Sequence, residues 1–219
     1  MKINLPTKIT ISRIVLVFAL LIYLFVYAIL GRFADYRSPT IGDSPIYLVN
    51  LIAFVVFVVA ASTDALDGYL ARKNNQVTTL GKFLDPIADK MLVNSILVYL
   101  VFPFSFYGNP KFETLLIPVW CVILMILRDL IVDTLRFIAA SKNEVIAANI
   151  FGKLKTVFQM IAIPLMLLNG WPFSYFDSSW PYYARISMIF VYIATAMSII
   201  SGIIYVKQNF HVLKEKNND

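Results

Sequence analysis

Long apolar stretches alternate with short polar segments along almost the whole chain. Each stretch holds roughly 20 residues, the length that a helix needs to cross a hydrocarbon core of about 30 Å. Most of the segments between them contain proline, glycine or charged residues, which end helices and begin turns. This alternation predicts six membrane-spanning helices. Their predicted ranges are 10–31, 46–70, 84–106, 114–140, 153–170 and 183–206.

The composition agrees with a membrane protein. Hydrophobic residues make up 59% of the 219 residues, whereas soluble domains are about 45–50% apolar. We therefore expect an all-α integral membrane protein in which residues 1–219 form a single domain, a bundle of six transmembrane helices. The lone cysteine, Cys121, excludes an intramolecular disulfide.

The distribution of lysine and arginine predicts the orientation. The net charge is +6, and most basic residues lie on one side of the predicted spans or at the chain ends. Cytoplasmic segments carry such an excess, so both termini are predicted to be cytoplasmic. An anionic lipid surface, rather than nucleic acid, is the expected partner of these charges. The basic residues on that side are Lys2, Lys8, Arg72, Lys73, Lys82, Lys142, Lys153, Lys207, Lys214 and Lys216.

Four aspartates interrupt apolar segments at the cytoplasmic ends of the second and third spans. One carboxylate at the centre of a membrane helix costs about 2.5–3.5 kcal/mol, so four require compensation. Oxygen ligands suit Mg²⁺ or Mn²⁺, which predicts divalent cations in a polar cavity facing the cytoplasm. Alternatively, these are helix-end aspartates neutralised by neighbouring lysines. The aspartates are Asp64, Asp67, Asp85 and Asp89, and small residues that permit close approach are Gly68, Ala71 and Gly81.

Basic residues inside the fourth and fifth spans indicate a site for a phosphorylated substrate. Arg128 and Arg136 lie in the fourth span, and Lys153 and Lys155 open the fifth. Fixed cations bind phosphate, and arginine can do so with two parallel hydrogen bonds. Alternatively, Arg136 pairs with an aspartate on its own helix, and the two lysines are anchors at the membrane surface.

The segment before the first span contains Pro6, Thr10 and Arg13. These residues would cap the first helix while the Arg13 side chain reaches to the membrane surface.

The spacing of the acidic residues resembles a family signature. The pattern D-x2-D-G-x2-A-R-x8-G-x3-D-x3-D runs from Asp64 to Asp89 and is similar to that of the CDP-alcohol phosphatidyltransferases. The resemblance implies that Asp64, Asp67 and Asp85 hold one cation. Asp64, Asp85 and Asp89 would hold the second, and Asp89 would be the general base for the incoming alcohol. The implied contacts with the CDP-lipid are Gly68, Arg72, Thr78 and Gly81, and Ala71 and Thr10 are further candidates. The resemblance also implies that Pro6, Thr10 and Arg13 contact the nucleotide, as an alternative to capping the first helix alone.

Segments such as 4–13 and 81–90 resemble the bacterial phosphatidylglycerophosphate synthases of that family. This implies transfer of the phosphatidyl group from CDP-diacylglycerol to sn-glycerol 3-phosphate with release of CMP. The expected enzyme is a homodimer in the bacterial plasma membrane with a cytoplasmic active site. Other acceptors stay open: phosphatidylglycerol in a cardiolipin synthase, an inositol phosphate, or serine. A divalent-cation transporter is a distant alternative. One departure is Asp133-Thr134, where a small uncharged pair ending in glycine is expected.

Overall fold

The computed structural model describes residues 4–33, 39–42, 44–73, 79–102, 114–142, 144, 146 and 149–213. Within those ranges the chain is helical apart from its connecting segments, which include an isolated antiparallel bridge between Thr40 and Tyr47. The prediction of an all-α protein is confirmed. The helices are α1 (Leu5–Phe33), α2 (Leu48–Lys73), α3 (Thr79–Tyr99), α4 (Val119–Ser141), α5 (Ile150–Leu167), the short α6 (Ser174–Asp177) and α7 (Ile186–Gln208), with 3-10 turns at Tyr182–Ala184 and Phe210–Leu213.

The chain divides into two compact units. Unit 1 consists of Met1–Leu116 together with Leu167–Trp171, and it contains α1, α2 and α3. Unit 2 consists of Ile117–Met166 together with Pro172–Asp219, and it contains α4, α6, α7 and nearly all of α5.

In unit 1, α1 packs against both α2 and α3, and its two faces differ in exposure. Residues three or four apart share one face of a helix. The buried face begins with polar residues and continues with apolar ones: Thr7, Thr10, Arg13, Val17, Leu20, Leu24 and Tyr27. The opposite face is apolar and exposed: Val15, Phe18, Ile22, Phe25 and Ile29. Wide exposed apolar faces are rare on soluble monomers, so this face suits contact with lipid.

Asn169 and Gly170 follow the end of α5 and connect separate segments of unit 1. Their φ angles are 53° and 82°, a left-handed conformation that ends helices and that these two residue types tolerate. Asn169 Oδ1 accepts a hydrogen bond from the Leu115 N–H at 2.8 Å, and Asn169 Nδ2 donates to the Pro45 carbonyl at 3.2 Å. The predicted end of the fifth span at residue 170 is therefore too late, since α5 ends at Leu167.

In unit 2, α7 packs along α4, and the buried face of α7 is rich in small and polar residues. Small residues allow membrane helices to approach closely, and hydroxyl groups can bond to polar groups on a neighbouring helix. On α4, Asp129 lies in a buried stripe that also contains Met125 and Val132. The small and polar residues of α7 are Ser187, Ala194, Thr195, Ser198 and Ser201.

Within the part of the chain that the structure describes, three helical segments are long and apolar enough to cross a membrane: Thr7–Leu30, Ile150–Leu167 and Ile186–Gln208. Their length and composition support a membrane protein. The six-span count, the single domain and the cytoplasmic termini remain predictions.

Further helix ends differ from the predicted span ends, and prolines lie in or next to two of these helices. Helix α3 begins at Thr79 rather than at residue 84, and Pro86 is accommodated inside it. Helix α4 begins at Val119 rather than at residue 114. Pro118 directly precedes α4, and a proline disfavours the helical conformation in the residue before it.

Candidate active site

The acidic motif occupies the end of α2 and the beginning of α3. Six residues predicted for the site have side chains outside the described residues: Asp64, Asp67, Gly68, Ala71, Arg72 and Thr78. The backbone of the first five lies in α2, whereas Thr78 is outside the described ranges altogether. The roles expected of these six residues stay predictions. Gly81, the small residue of the motif that lies in α3, is buried.

Asp85 and Asp89 lie one helical turn apart on α3, and we call this pair the acidic face. The buried residue Ala88, between the two aspartates, and the buried Leu92 and Ile96, which follow them, lie on the same side of α3 at helical spacing. The two carboxylates therefore extend an apolar packing stripe at its N-terminal end. Both aspartates are partly exposed, and the Asp89 side chain retains 47% of its exposure. The acidic face is thus packed against protein on one side and open enough to reach a ligand.

Helix α1 donates a hydrogen bond to each carboxylate of the acidic face. Thr10 Oγ1 donates to Asp85 Oδ1 at 2.8 Å, and Arg13 Nη1 donates to Asp89 Oδ1 at 2.8 Å. Arg13 is 2% exposed, so the alternative in which it reaches the membrane surface is wrong. The alternative of Thr10 as a helix cap is also wrong, because α1 begins at Leu5 and Thr10 lies in its second turn. The contact of Thr10 with the CDP-lipid stays a prediction.

The chemistry of the acidic face fits a hard divalent cation, although the described side chains do not form a complete metal site. Among those side chains, no three His, Cys, Asp or Glu residues lie close enough together to hold an ion. Asp64 and Asp67 are outside that set. Carboxylate oxygens are the ligands that Mg²⁺ and Mn²⁺ prefer, and Asp89 is half exposed. A metal site at these residues therefore remains a prediction with which the acidic face is compatible.

Unit 2 brings together two of the four residues predicted to bind phosphate. Lys155 Nζ donates to both oxygens of Asp129, at 3.0 and 2.7 Å, and Arg128 Nη1 donates to Asp129 Oδ1 at 3.0 Å. We call Arg128, Asp129 and Lys155 the basic cluster, because two cations share one carboxylate and one positive charge is left over. Lys155 is 5% exposed, so its interpretation as a surface anchor is wrong.

Three small residues shape the space around Arg128, and two of them, Ser201 and Gly202, were not predicted to belong to the site from the sequence. Arg128 Nη2 donates a hydrogen bond to Ser201 Oγ. A Cβ added at Gly202 would lie 2.8 Å from Arg128 Cγ, and one added at Gly152 would lie 3.1 Å from Arg128 Nη2. Arg128 Nε has no hydrogen-bond partner among the described residues. The sequence offers one signal for these three residues. They are small residues in apolar helices, and the chain also has an arginine within a predicted span.

The other two residues predicted to bind phosphate are not part of the basic cluster. Arg136 follows Arg128 by eight residues on α4, which is about 12 Å along the helix axis. Arg136 Nε donates to the Tyr205 hydroxyl at 3.0 Å, and its guanidinium carbon lies 5.5 Å from the centre of the Tyr205 ring. Arg136 thus contacts a tyrosine of α7 rather than Asp129. Lys153 is exposed on α5.

Similarity to known proteins agrees with the acidic motif. A family model described as CDP-alcohol phosphatidyltransferase matches residues 3–200. Three similar proteins are each named CDP-diacylglycerol–glycerol-3-phosphate 3-phosphatidyltransferase. The one from Bacillus subtilis (strain 168) is 39% identical over 98% of this chain and 99% of its own length. The one from Mycoplasma pneumoniae is 38% identical over 97% of this chain and 90% of its own. The one from Escherichia coli (strain K12) is 33% identical over 87% of each. This chain therefore belongs to the CDP-alcohol phosphatidyltransferases, a family of transferase enzymes.

Proposed function

We propose that this chain transfers the phosphatidyl group of CDP-diacylglycerol to sn-glycerol 3-phosphate, which yields phosphatidylglycerophosphate and CMP. The names of the Bacillus, Mycoplasma and Escherichia relatives support this pair of substrates. The structural observation that carries the proposal is the acidic face. Two carboxylates of the family motif lie one turn apart there, and α1 donates a hydrogen bond to each.

The proposal includes two divalent cations, Mg²⁺ or Mn²⁺, held by Asp64, Asp67, Asp85 and Asp89. When bound, such ions neutralise negative charge on a diphosphate and on its leaving group. Four carboxylates at the end of two adjacent apolar helices would otherwise repel one another. The oxygen chemistry of the acidic face supports this assignment.

The proposed reaction exchanges one phosphorus–oxygen bond for another. A hydroxyl group of glycerol 3-phosphate attacks the β-phosphorus of CDP-diacylglycerol. The bond from that phosphorus to the bridging oxygen breaks, and CMP leaves with that oxygen. The hydroxyl proton passes to Asp89, the proposed general base.

We assign the phosphate of the acceptor to basic residues of unit 2. The excess positive charge of the basic cluster supports its binding of a phosphorylated acceptor. Arg136 and Lys153 belong to the proposal on the sequence pattern alone. The CDP-lipid contacts stay as the motif implies them, and these residues are Thr10, Gly68, Ala71, Arg72, Thr78 and Gly81.

The proposed setting is the plasma membrane of a bacterium, with the active site on the cytoplasmic side and the chain acting as a homodimer. The bacterial relatives support the assignment to a bacterial membrane, and the distribution of lysine and arginine supports the cytoplasmic orientation of the active site. The dimer is an expectation from the family alone.

Replacing Asp85 or Asp89 with asparagine tests the proposal. Each change keeps the size of the side chain but removes a charge that the reaction requires, so CMP release should fall by at least about 100-fold. The assay follows CMP released from CDP-diacylglycerol and glycerol 3-phosphate in the presence of Mg²⁺.

Glu144→Gln is the matched control for loss of one carboxylate. Glu144 is half exposed and lies 3.5 Å from His211 in unit 2, outside the proposed site, so this variant should retain its activity. Near-normal turnover in both aspartate variants would refute the proposed role of the acidic face.

A further inference from the structure

The polar end of the buried face of α1 contacts the acidic face at two points. We infer that Thr10 and Arg13 are positioning residues that orient the carboxylates of Asp85 and Asp89 toward the divalent cations. This inference rests on the proposed function, because it concerns two of the proposed metal ligands. We call Thr10 and Arg13 the α1 clamp.

The two contacts are arranged in matching order along the two helices. Thr10 and Arg13 are three residues apart on α1, and Asp85 and Asp89 are four residues apart on α3, so each pair occupies one face of its helix. Both hydrogen bonds measure 2.8 Å, and both end on an Oδ1 atom. Each contact therefore restricts the rotation of the carboxylate that it meets.

The burial of the ion pair is uneven, and this favours a role in orientation. The side chain of Arg13 is 1% exposed, whereas that of Asp89 is 47% exposed. The guanidinium is fixed within unit 1, while the carboxylate reaches toward the solvent-accessible side. A half-exposed carboxylate without such a contact would sample several rotamers, and hydrogen bonds to metal-binding carboxylates commonly limit that freedom.

The effect of Arg13 on cation binding distinguishes a role in orienting Asp89 from a role in charge balance alone. Arg13 lies within hydrogen-bond distance of a proposed metal ligand, so its positive charge repels a bound cation. If charge balance were its whole role, removing that charge would strengthen cation binding. If Arg13 orients Asp89, removing it weakens cation binding. The sign of the change thus separates the two roles.

The test measures binding of Mn²⁺ alone to the purified full-length protein in detergent, by electron paramagnetic resonance and without any CDP-lipid. Arg13→Gln should weaken Mn²⁺ binding by roughly 10–100-fold, the usual effect of losing a partner of a metal ligand. Arg13→Lys, which retains the charge, should recover part of that loss. Thr10→Val removes a neutral donor and should also weaken binding. Unchanged or tighter Mn²⁺ binding by Arg13→Gln overturns the inference.

Tyr99→Phe is a control for general loosening of α3. Tyr99 donates a hydrogen bond to Asn50 at 2.7 Å in the buried part of unit 1, and it follows Asp89 by ten residues, or about 15 Å along the axis. Its variant should unfold at a lower temperature with unchanged Mn²⁺ affinity. A loss of affinity equal to that of Arg13→Gln would show loosening rather than orientation and would overturn the inference.

The remaining outcomes distinguish failure of the α1 clamp from failure of the proposed function. If Arg13→Gln does not fold, Arg13→Lys and Thr10→Val decide the matter, and normal Mn²⁺ affinity in Thr10→Val overturns the role of the clamp. Wild-type protein that binds Mn²⁺ and releases CMP, with variants that bind Mn²⁺ equally well, refutes the clamp while leaving the proposed function intact. Wild-type protein that neither binds Mn²⁺ nor releases CMP refutes the proposed function, and the clamp with it.

Discussion

Asp129 allows two cationic side chains to lie inside unit 2. Its carboxylate contacts Lys155 through both oxygens and Arg128 through one. A buried ion pair contributes little net stability because desolvation offsets the attraction, yet removal of one partner is costly. We therefore expect Asp129 to hold Arg128 and Lys155 in place rather than to contact substrate itself.

Replacing Asp129 with asparagine should destabilise the protein. The change leaves Arg128 and Lys155 as neighbouring cations without their shared counterion, so the free energy of unfolding should fall by about 3–5 kcal/mol. Denaturant unfolding of the purified protein in detergent measures this difference.

The control for that experiment is Thr134→Ala on the same helix. Thr134 is exposed, and its hydroxyl donates to the Leu130 carbonyl of α4 at 2.8 Å, so its loss should change stability by less than about 0.5 kcal/mol. Thr134 belongs to the departure from the expected small pair, and its exposure explains why a larger residue is tolerated there. An Asp129→Asn protein as stable as this control would contradict the positioning role of Asp129.

Helices α5 and α7 accommodate the Arg128 side chain through glycines. Gly202 of α7 faces Cγ of Arg128, near the backbone, whereas Gly152 of α5 faces the terminal nitrogen Nη2 of its guanidinium. A methyl group at Gly202 would displace the whole side chain, because 2.8 Å is shorter than any ordinary carbon contact. A methyl group at Gly152 would require a shift of only the terminal nitrogen, so the two glycines are expected to differ in their tolerance of alanine.

We therefore expect Gly202→Ala to impair acceptor binding more than Gly152→Ala. If Arg128 binds the acceptor phosphate, displacing it removes hydrogen bonds to a charged group, worth about 1.5–3 kcal/mol. The KM for glycerol 3-phosphate should then rise by roughly 10–100-fold in Gly202→Ala, with a smaller rise in Gly152→Ala and little change in the KM for CDP-diacylglycerol. Equal and normal KM values in both variants would contradict the assignment of Arg128.

Hydropathy predicts where the long helices of the described ranges lie, but it does not predict their ends. Helix α1 begins at Leu5 rather than at residue 10, because its first turns bury polar side chains against unit 1 instead of apolar ones. Helix α5 ends at Leu167 because Asn169 and Gly170 adopt positive φ. Both ends depend on contacts with other segments, to which a hydropathy window is insensitive.

The candidate site is likewise partly predictable. The spacing of the motif identifies Asp85 and Asp89, because two residues four positions apart lie on the same face of one helix. Their partners Thr10 and Arg13 lie 75 and 76 residues away in sequence, and no local pattern indicates that these side chains meet. For the same reason, the sequence left open the alternative surface positions of Arg13 and Lys155, both of which are buried.

The whole molecule combines apolar exposed faces with charged groups in its interior. On α1, exposed apolar residues such as Phe18 and Phe25 lie opposite the buried Thr10 and Arg13. The proposed reaction requires this combination, because CDP-diacylglycerol partitions into lipid while glycerol 3-phosphate is soluble in water. Membership of the family is established by similarity along most of the chain, and the identity of the acceptor alcohol is the central claim of the proposed function.

The most direct test of that claim identifies the lipid product by mass spectrometry. Purified protein in mixed micelles is incubated with CDP-diacylglycerol, Mg²⁺ and one acceptor at a time: glycerol 3-phosphate, phosphatidylglycerol, inositol phosphate or serine. We predict phosphatidylglycerophosphate and an equal amount of CMP with glycerol 3-phosphate, and no new lipid with the other acceptors. Cardiolipin formed from phosphatidylglycerol, or no product with glycerol 3-phosphate, would contradict the account.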